Sequence, residues 1–326
     1  MKRLVTYFSV AVLFCCVLFP LQAQKKNSQN LRVVYWNIQN GMWDGQKDNY
    51  ERFVNWVNSQ APDICIWCEG GSYLQAENGE LAPKDQRYLP AGWPELAARY
   101  GHEYVFVGGM RDPFPQIVTS KYPIESLGRF VGSAPDSIVV HGAGWARVAV
   151  QGKDINIITL HLQPYKYWRY LPDHKKAESE KNHGGERYRK MELEWIYDHT
   201  VKNCENPGQG LWIMAGDFNS RSRKDNFQYK WSLSNPNFMV QKYIEEETPY
   251  FYDVVAETYP EIFCPSHSGK SRIDYMYVTK PLLKSIRRVD ADPDSYTKAV
   301  PSGVKAYYSP SDHYPIIVDF NLSKIK

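Results

Sequence analysis

The chain has 326 residues, of which 43% are hydrophobic, enough to build a sizeable core and too many for a disordered chain. Its 39 Lys and Arg nearly balance 36 Asp and Glu, for a formal charge of +3. That balance excludes a generic polyanion binder, so attraction for phosphate has to come from a local cluster.

Residues 1–23 read as a secretory signal peptide. Lys2 and Arg3 precede an apolar run from Leu4 to Phe19, Pro20 closes the run, and Leu21-Gln22-Ala23 resembles a small-residue cleavage site. An uncleaved anchor is the alternative, because the run approaches the roughly 18 residues at which a spanning helix becomes credible. Pro20 and the cleavage site favour removal, and bulky Phe14 before Cys15 argues against a lipid anchor. A periplasmic or secreted protein beginning at Gln24 is therefore expected. Cleavage removes two cations and no acid, which lowers the formal charge from +3 to +1.

The mature chain then alternates strand and helix signals. LRVVYWN (31–37) is rich in branched and aromatic residues and predicts a buried strand. DNYERFVNWVNSQAPD (48–63) carries Tyr50, Phe53, Val54 and Val57 at helical spacing, and DICIWCE (63–69) predicts a second strand. Strand, helix, strand makes a βαβ unit with parallel strands. Further strands are predicted at Tyr104 to Val107, Ile117 to Ser120, Trp145 to Gln151, Ile155 to Leu160, Leu211 to Ala215, Ile273 to Thr279 and Ile316 to Phe320. A turn containing Gly152 joins two of these as an antiparallel hairpin. ERYRKMELEWIYDHT (186–200) predicts a helix in which Tyr188, Met191, Trp195 and His199 share a packed face.

No repeat or linker divides residues 24–326, which read as one domain. Two stretches read as inserted loops, 163–185 with Tyr165, Tyr167, Trp168 and Tyr170, and 226–260; long loops often bind substrate. Cys65 and Cys68 lie three apart on a strand, where side chains face opposite ways, so neither a shared metal nor a mutual disulfide is expected. Cys204 with Cys264 remains open as a disulfide.

Polar residues follow apolar runs repeatedly: Asn37 after VVYW, Glu69 after CIWC, His161 after INIITL and Asp217 after WIMAG. Each alone could be a turn former, a cap or a satisfied histidine. Together they suggest a shared site, because catalytic groups in α/β proteins gather where strand ends face solvent. Asp274 enters an apolar strand in SRIDYMYV, and Asp312 with His313 precedes the last strand in SDHYP. An Asp beside a His can fix the imidazole tautomer and hold its charge.

The ordered set Asn37, Glu69, His161, GDFN with Asp217 and Asn219, RIDY with Asp274, and SDH with Asp312 and His313 resembles the endonuclease/exonuclease/phosphatase family, the deoxyribonuclease-I-like metallophosphoesterases. The resemblance runs from about Leu31 to Phe320. It implies a four-layered α/β/β/α sandwich of two packed mixed sheets with outer helices. It also implies Glu69 as the principal Mg²⁺ ligand, with Mn²⁺ as a substitute. Asp217 and Asn219 would orient the attacking water, with Asn219 and Asn37 also on phosphate oxygen or fixing neighbouring groups. His313 held by Asp274 would lie on the phosphoryl group, with His161 on another oxygen and Asp312 near the metal or the water. Arg221, Arg223 and Lys224 could gather phosphate or form a solvated charged loop. Tyr165 and Trp168 could contact substrate or simply pack.

Gln39 departs from those nucleases with an acid two residues after the first Asn, so a second carboxylate on the metal from that segment is not expected. TLHLQP (159–164) differs from the abasic-site repair branch and groups the chain with branches that include secreted nucleases, sphingomyelinases, inositol-phosphate phosphatases and deadenylases. The implied function is an exported metal-dependent phosphoesterase, with a nuclease or a sphingomyelinase-like lipid phosphodiesterase as subclasses. A non-catalytic binding protein on the same sandwich is the alternative. The substrate is a phosphate ester of unresolved class (nucleic acid, phospholipid or small phosphoester), and no obligate protein partner is evident.

Overall fold

The computed structural model describes residues 29–39, 50–71, 92–109, 114–130, 138–291 and 311–325. The predicted signal peptide lies outside them. Among the described residues, alternation of apolar side chains builds two six-stranded sheets. The strands are β1 (Asn30–Asn37), β2 (Ile64–Cys68), β3 (Tyr104–Val107), β4 (Ile117–Ser120), β5 (Ile124–Phe130), β6 (Ala143–Val150), β7 (Lys153–His161), β8 (Leu211–Asp217), β9 (Phe251–Asp253), β10 (Asp274–Thr279), β11 (Ile286–Asp290) and β12 (Ile316–Asn321). The first sheet runs β11-β12-β1-β2-β4-β3 and the second β5-β6-β7-β8-β10-β9. Both are mixed. β1 and β2 are parallel, as are β7 and β8, and the neighbouring pairings β1–β12 and β8–β10 are antiparallel.

Period-two alternation divides each strand between two cores. Leu31, Val33 and Tyr35 of β1, Ile64 and Ile66 of β2, Ile155 and Ile157 of β7, Ile213 and Ala215 of β8, and Met276 and Val278 of β10 meet between the sheets. The alternate residues Val34, Trp36, Cys65 and Trp67 pack outward with Phe53, Val54, Trp56 and Val57 of the helix Glu51–Gln60. On the other side, Trp212 and Met214 pack outward with Leu193, Ile196 and Tyr197 of the helix Gly184–Asp198 and with Val240 and Ile244 of the helix Met239–Glu247. Helices outside and sheets inside make the four-layered sandwich. Cys65 and Cys68 lie on opposite faces of β2, and neither Cys204 nor Cys264 is in a disulfide.

The hairpin between β6 and β7 pairs Val150 with Lys153, and φ of 51° at Gln151 and 79° at Gly152 gives it the turn whose twist suits a two-residue connection. Tyr50 stands at the N-cap of the first helix in a left-handed conformation, φ 61°, and still packs against the cluster of Phe53, Val54 and Val57. The face of the helix Gly184–Asp198 also differs from the expectation. Tyr188 is buried, but Met191 and Trp195 are half-buried and His199 is exposed, stacked on Trp195 with ring centroids 3.7 Å apart. Buried in their stead are apolar Leu193, Ile196 and Tyr197 and the polar Glu186, Arg189 and Glu192. These polar groups hold the chain that passes over them. Glu192 accepts the backbone N–H of Val140 at 2.8 Å and of Gln163 at 2.9 Å, and Arg189 donates to the carbonyls of Gln163 and Tyr165 at 2.9 and 3.0 Å. Burial pushes the Glu192 carboxyl up to about 8, against those two N–H donors.

Neither predicted insertion is a plain loop. Residues 163–185 contain the helix Asp173–Lys181, which buries no side chain and so has no periodic signal. Residues 226–260 supply β9 and the helix Met239–Glu247, both integral to the sandwich. Replacing Glu192 by Leu, of similar volume, leaves two buried N–H groups without acceptors. It should lower stability by roughly 2–5 kcal/mol in urea denaturation, with Glu192→Gln in between because it keeps one acceptor. A loss under about 0.5 kcal/mol for the Leu variant would show that Glu192 does not anchor these segments.

Candidate active site

The site is the polar end of the inter-sheet core. On β7, Ile155 and Ile157 are followed on the same face by His161; on β8, Ile213 and Ala215 by Asp217; on β10, Val278 and Met276 lead back to Asp274. Register sets these three side by side, since His161 pairs with Asp217 and Asp217 with Asp274. Gly216 permits the close pairing: a Cβ there would lie 2.1 Å from the Leu160 carbonyl oxygen. The first sheet contributes Asn37, two residues beyond Tyr35 on the same face of β1, and His313 from the turn before β12.

Glu69 arrives differently. It follows Cys68, whose side chain faces the inter-sheet core, so strict alternation would turn Glu69 toward the helices with Trp67. A φ of 59° re-aims it, and its Oε1 accepts from Asn37 Nδ2 at 3.1 Å. Asn219 also has a positive φ, 49°. Its backbone N–H donates to Asp217 Oδ1 at 2.8 Å and its side-chain amide to the Leu162 carbonyl at 3.0 Å. Left-handed backbone at non-glycine residues costs of order 1–3 kcal/mol and clusters at functional sites.

The resulting contacts are short. Asn37 Nδ2 lies 3.3 Å from Asp217 Oδ2 and 3.5 Å from His313 Nε2. His161 Nε2 is 3.7 Å from Asp217 Oδ2 and 4.0 Å from Glu69 Oε1. His313 Nε2 is 3.8 Å from Asp217 Oδ2, and its Nδ1 is 2.7 Å from Asp274 Oδ2. Asp274 is fully buried. It accepts from the Tyr35 hydroxyl at 2.6 Å across the sheets and from the Ser266 hydroxyl at 2.7 Å. Trp36 Nε1 donates to the His313 carbonyl at 3.0 Å, and the Ser311 hydroxyl donates to the Asn37 carbonyl at 2.6 Å.

These environments separate the two imidazoles. Burial pulls His161 well below the ordinary histidine range, helped by His141 and His313, so it is neutral near pH 7. Burial acts the same way on His313, but the carboxylate of Asp274 outweighs it and lifts that group to about 10. Burial and the neighbouring Asp274 charge raise Asp217 well above the usual carboxyl range. One neutral imidazole, one imidazolium and a carboxyl group of raised proton affinity face a common space.

Ligand atoms of Glu69, His161 and Asp217 lie within 4.8 Å of one another. The two carboxylates supply hard oxygen donors, and the Glu69 side chain is 12% exposed, so the set fits a divalent cation that keeps some of its waters. Asp274 is a poor ligand because its oxygens are already engaged by Tyr35, Ser266 and His313. Asp312, expected beside the metal or the water, stands outside the Glu69 group. Its Oδ1 is 3.7 Å from His313 Nε2 and its Oδ2 is 3.4 Å from His267 Nε2.

The cations after Asn219 already have partners within the protein. Arg223 is ion-paired to Glu245, Lys224 to Glu257 at 2.7 Å, and the Arg221 guanidinium lies over the Trp231 ring at 5.9 Å. Tyr165 stacks on Tyr167 with Arg169 over its ring, and Trp168 meets Tyr188 edge-on. The sequence reading missed Tyr35, Ser266, His267 and Ser311. Only Tyr35 left a signal, by sharing a strand face with Asn37.

Similarity to known proteins agrees with this geometry. The family model described as Endonuclease/Exonuclease/phosphatase family matches residues 34–313. Comparison with curated proteins gives no match. Among solved structures, the chain resembles an AP endonuclease from Archaeoglobus fulgidus at 16% identity and a TM-score of 0.56, covering 89% of this chain and 99% of that one. It also resembles an endonuclease/exonuclease/phosphatase from Beutenbergia cavernae DSM 12333 at 17% identity and a TM-score of 0.57, covering 89% and 71%. At such identities the likeness shows the fold. The family match runs through the segments that bring Asn37, Glu69, Asp217 and His313 together, and the chain therefore belongs to the endonuclease/exonuclease/phosphatase family, as a hydrolase of phosphate esters.

Proposed function

We propose that the protein is an exported Mg²⁺-dependent phosphoesterase that cleaves a phosphodiester or phosphomonoester by in-line attack of water. The carrying observation is the meeting of Asn37, Glu69, His161, Asp217 and His313 in one mouth between the sheets, with contacts of 3.1 to 4.0 Å. Export rests on the leader-like residues 1–23. The choice of Mg²⁺, with Mn²⁺ as substitute, rests on the hard carboxylate donors.

Asp217 is the base. Its Oδ1 is held by the Asn219 N–H, which leaves Oδ2 to take a proton from the attacking water, and its raised proton affinity suits that task. The new P–O bond forms to the water oxygen as the bond to the leaving oxygen breaks on the opposite side. Asp274 holds His313 Nδ1, so Nε2 presents an N–H and a positive charge to a phosphoryl oxygen. Neutral His161 can place Nε2–H on another oxygen, and Asn37 donates from its amide. A divalent cation on Glu69, with Asp217 beside it, would supply Lewis-acid stabilisation of the phosphoryl charge.

Three outcomes are expected. Asp217→Ala and His313→Ala should each lower kcat on bis-p-nitrophenyl phosphate by roughly 10² to 10⁴ fold, the usual worth of a proton acceptor or a charge-stabilising donor; near-normal turnover in both would contradict the assignment. Titration calorimetry after EDTA treatment should show Mg²⁺ binding that Glu69→Gln weakens at least tenfold. Undiminished hydrolysis by the metal-stripped protein would remove the metal from the account.

The third concerns pH. The folded protein holds His313 protonated up to about 10, above the roughly 6.5 of an unfolded histidine. The Asp274–His313 contribution to stability is therefore fully present below about pH 6.5 and fades as pH rises through about 10. The stability gap between wild type and Asp274→Asn should narrow over that window; a gap that widens would reverse the assigned charge.

A further inference from the structure

His267 lies outside the set that the family pattern brings together, yet it stands at the mouth of the site. It packs edge-on against His313 with ring centroids 4.9 Å apart, and a β-bridge joins the two residues. Its Nδ1 accepts the backbone N–H of Gly269 at 2.9 Å, and its Nε2 faces Asp312 Oδ2 at 3.4 Å. Two readings of that arrangement compete.

One is a second metal site, since His267, Asp312 and His313 offer ligand atoms within 4.8 Å of one another. The chemistry of the ring opposes it. A nitrogen that accepts from a backbone N–H carries no proton, so the proton of the neutral ring sits on Nε2, the atom turned to Asp312. A protonated nitrogen cannot ligate a metal. It can donate to a carboxylate.

The backbone makes that donation decisive. Asp312 is held on both sides: its N–H donates to Gln39 Oε1 at 3.1 Å and its carbonyl accepts from the Ser268 N–H at 2.7 Å. What remains to be fixed is the rotation of the carboxylate, whose Oδ1 lies 3.7 Å from His313 Nε2. We propose that His267 is a positioning residue for phosphoester hydrolysis, whose Nε2–H holds Asp312 Oδ2 and thereby turns Oδ1 toward His313 and the reacting phosphoryl group. The proposal rests on the hydrolytic reading above and adds to it a residue and a direction of action.

A double-mutant cycle with rescue tests it. With wild type hydrolysing bis-p-nitrophenyl phosphate in Mg²⁺, His267→Ala should lower kcat about tenfold, the worth of a hydrogen bond to a charged group, with KM changed less than twofold. His267→Gln, whose amide can reach with an N–H from the same place, should recover most of that loss. The double variant His267→Ala/Asp312→Ala should be no more than twofold below Asp312→Ala alone, because His267 acts through Asp312. Additive losses, no rescue by Gln, or full kcat in His267→Ala would overturn the proposal. Should the Ala variant fail to fold, the Gln variant and the ring itself still decide: ¹⁵N NMR of wild type should show the proton on Nε2, and a proton on Nδ1 would overturn it. Absence of hydrolysis by folded, metal-loaded wild type would instead strike the hydrolytic reading, and this inference with it.

Discussion

Two sheets that share one apolar core must end somewhere, and the rows of side chains filling that core end together. Beyond the apolar rows the same faces carry His161, after Thr159, with Asp217 and Asp274 from one sheet and Asn37 from the other. Buried polar and charged groups are tolerable only with partners, and at this edge the partners are each other. Asp274 shows how completely: it is fully buried and takes hydrogen bonds from Tyr35, Ser266 and His313. The positions of the chemical groups thus follow from strand register, and a slip of one residue in β8 or β10 would turn Asp217 or Asp274 to the wrong face.

The outer segments keep that edge in place. Arg272, two residues before Asp274, is buried and binds Asp225 at 2.8 Å and Asp253 at 2.6 Å. It ties the segment after Asn219 and the end of β9 to the strand that carries Asp274. On the other flank, Glu186 accepts from the Ser220 hydroxyl at 3.1 Å and pairs with Arg189, which also grips the chain just after His161 and Leu162. Both networks fasten the GDFN turn without entering the reaction space.

Much of this was legible in the sequence, and the parts that were not share physical causes. Central strands carry apolar residues on both faces, so β1, β2, β7, β8, β10 and β12 stood out. The missed strands β5, β9 and β11 are all sheet edges: β5 and β11 are largely exposed and β9 has three residues, which leaves little pattern to read. On the helix Gly184–Asp198 two apolar stripes compete, and the one through Leu193, Ile196 and Tyr197 turns inward together with buried Glu186, Arg189 and Glu192, which apolar periodicity does not foresee. In the site, residues at strand ends were readable, whereas Ser266, His267 and Ser311 lie on irregular backbone where no period applies. The charged run after Asn219 left phosphate binding and a solvated loop open, and acids distant in sequence pair with two of its cations.

The central claim is that these strand ends grip one divalent cation and one phosphoryl group together. The most direct measurement is a crystal structure of the metal-stripped protein soaked with Mn²⁺ and inorganic phosphate, with the metal located by its anomalous signal. The account predicts a peak coordinated by Glu69, with a phosphate oxygen in its shell and another against His313 Nε2. A peak elsewhere, or a phosphate out of reach of both His313 and Asp217, would contradict it.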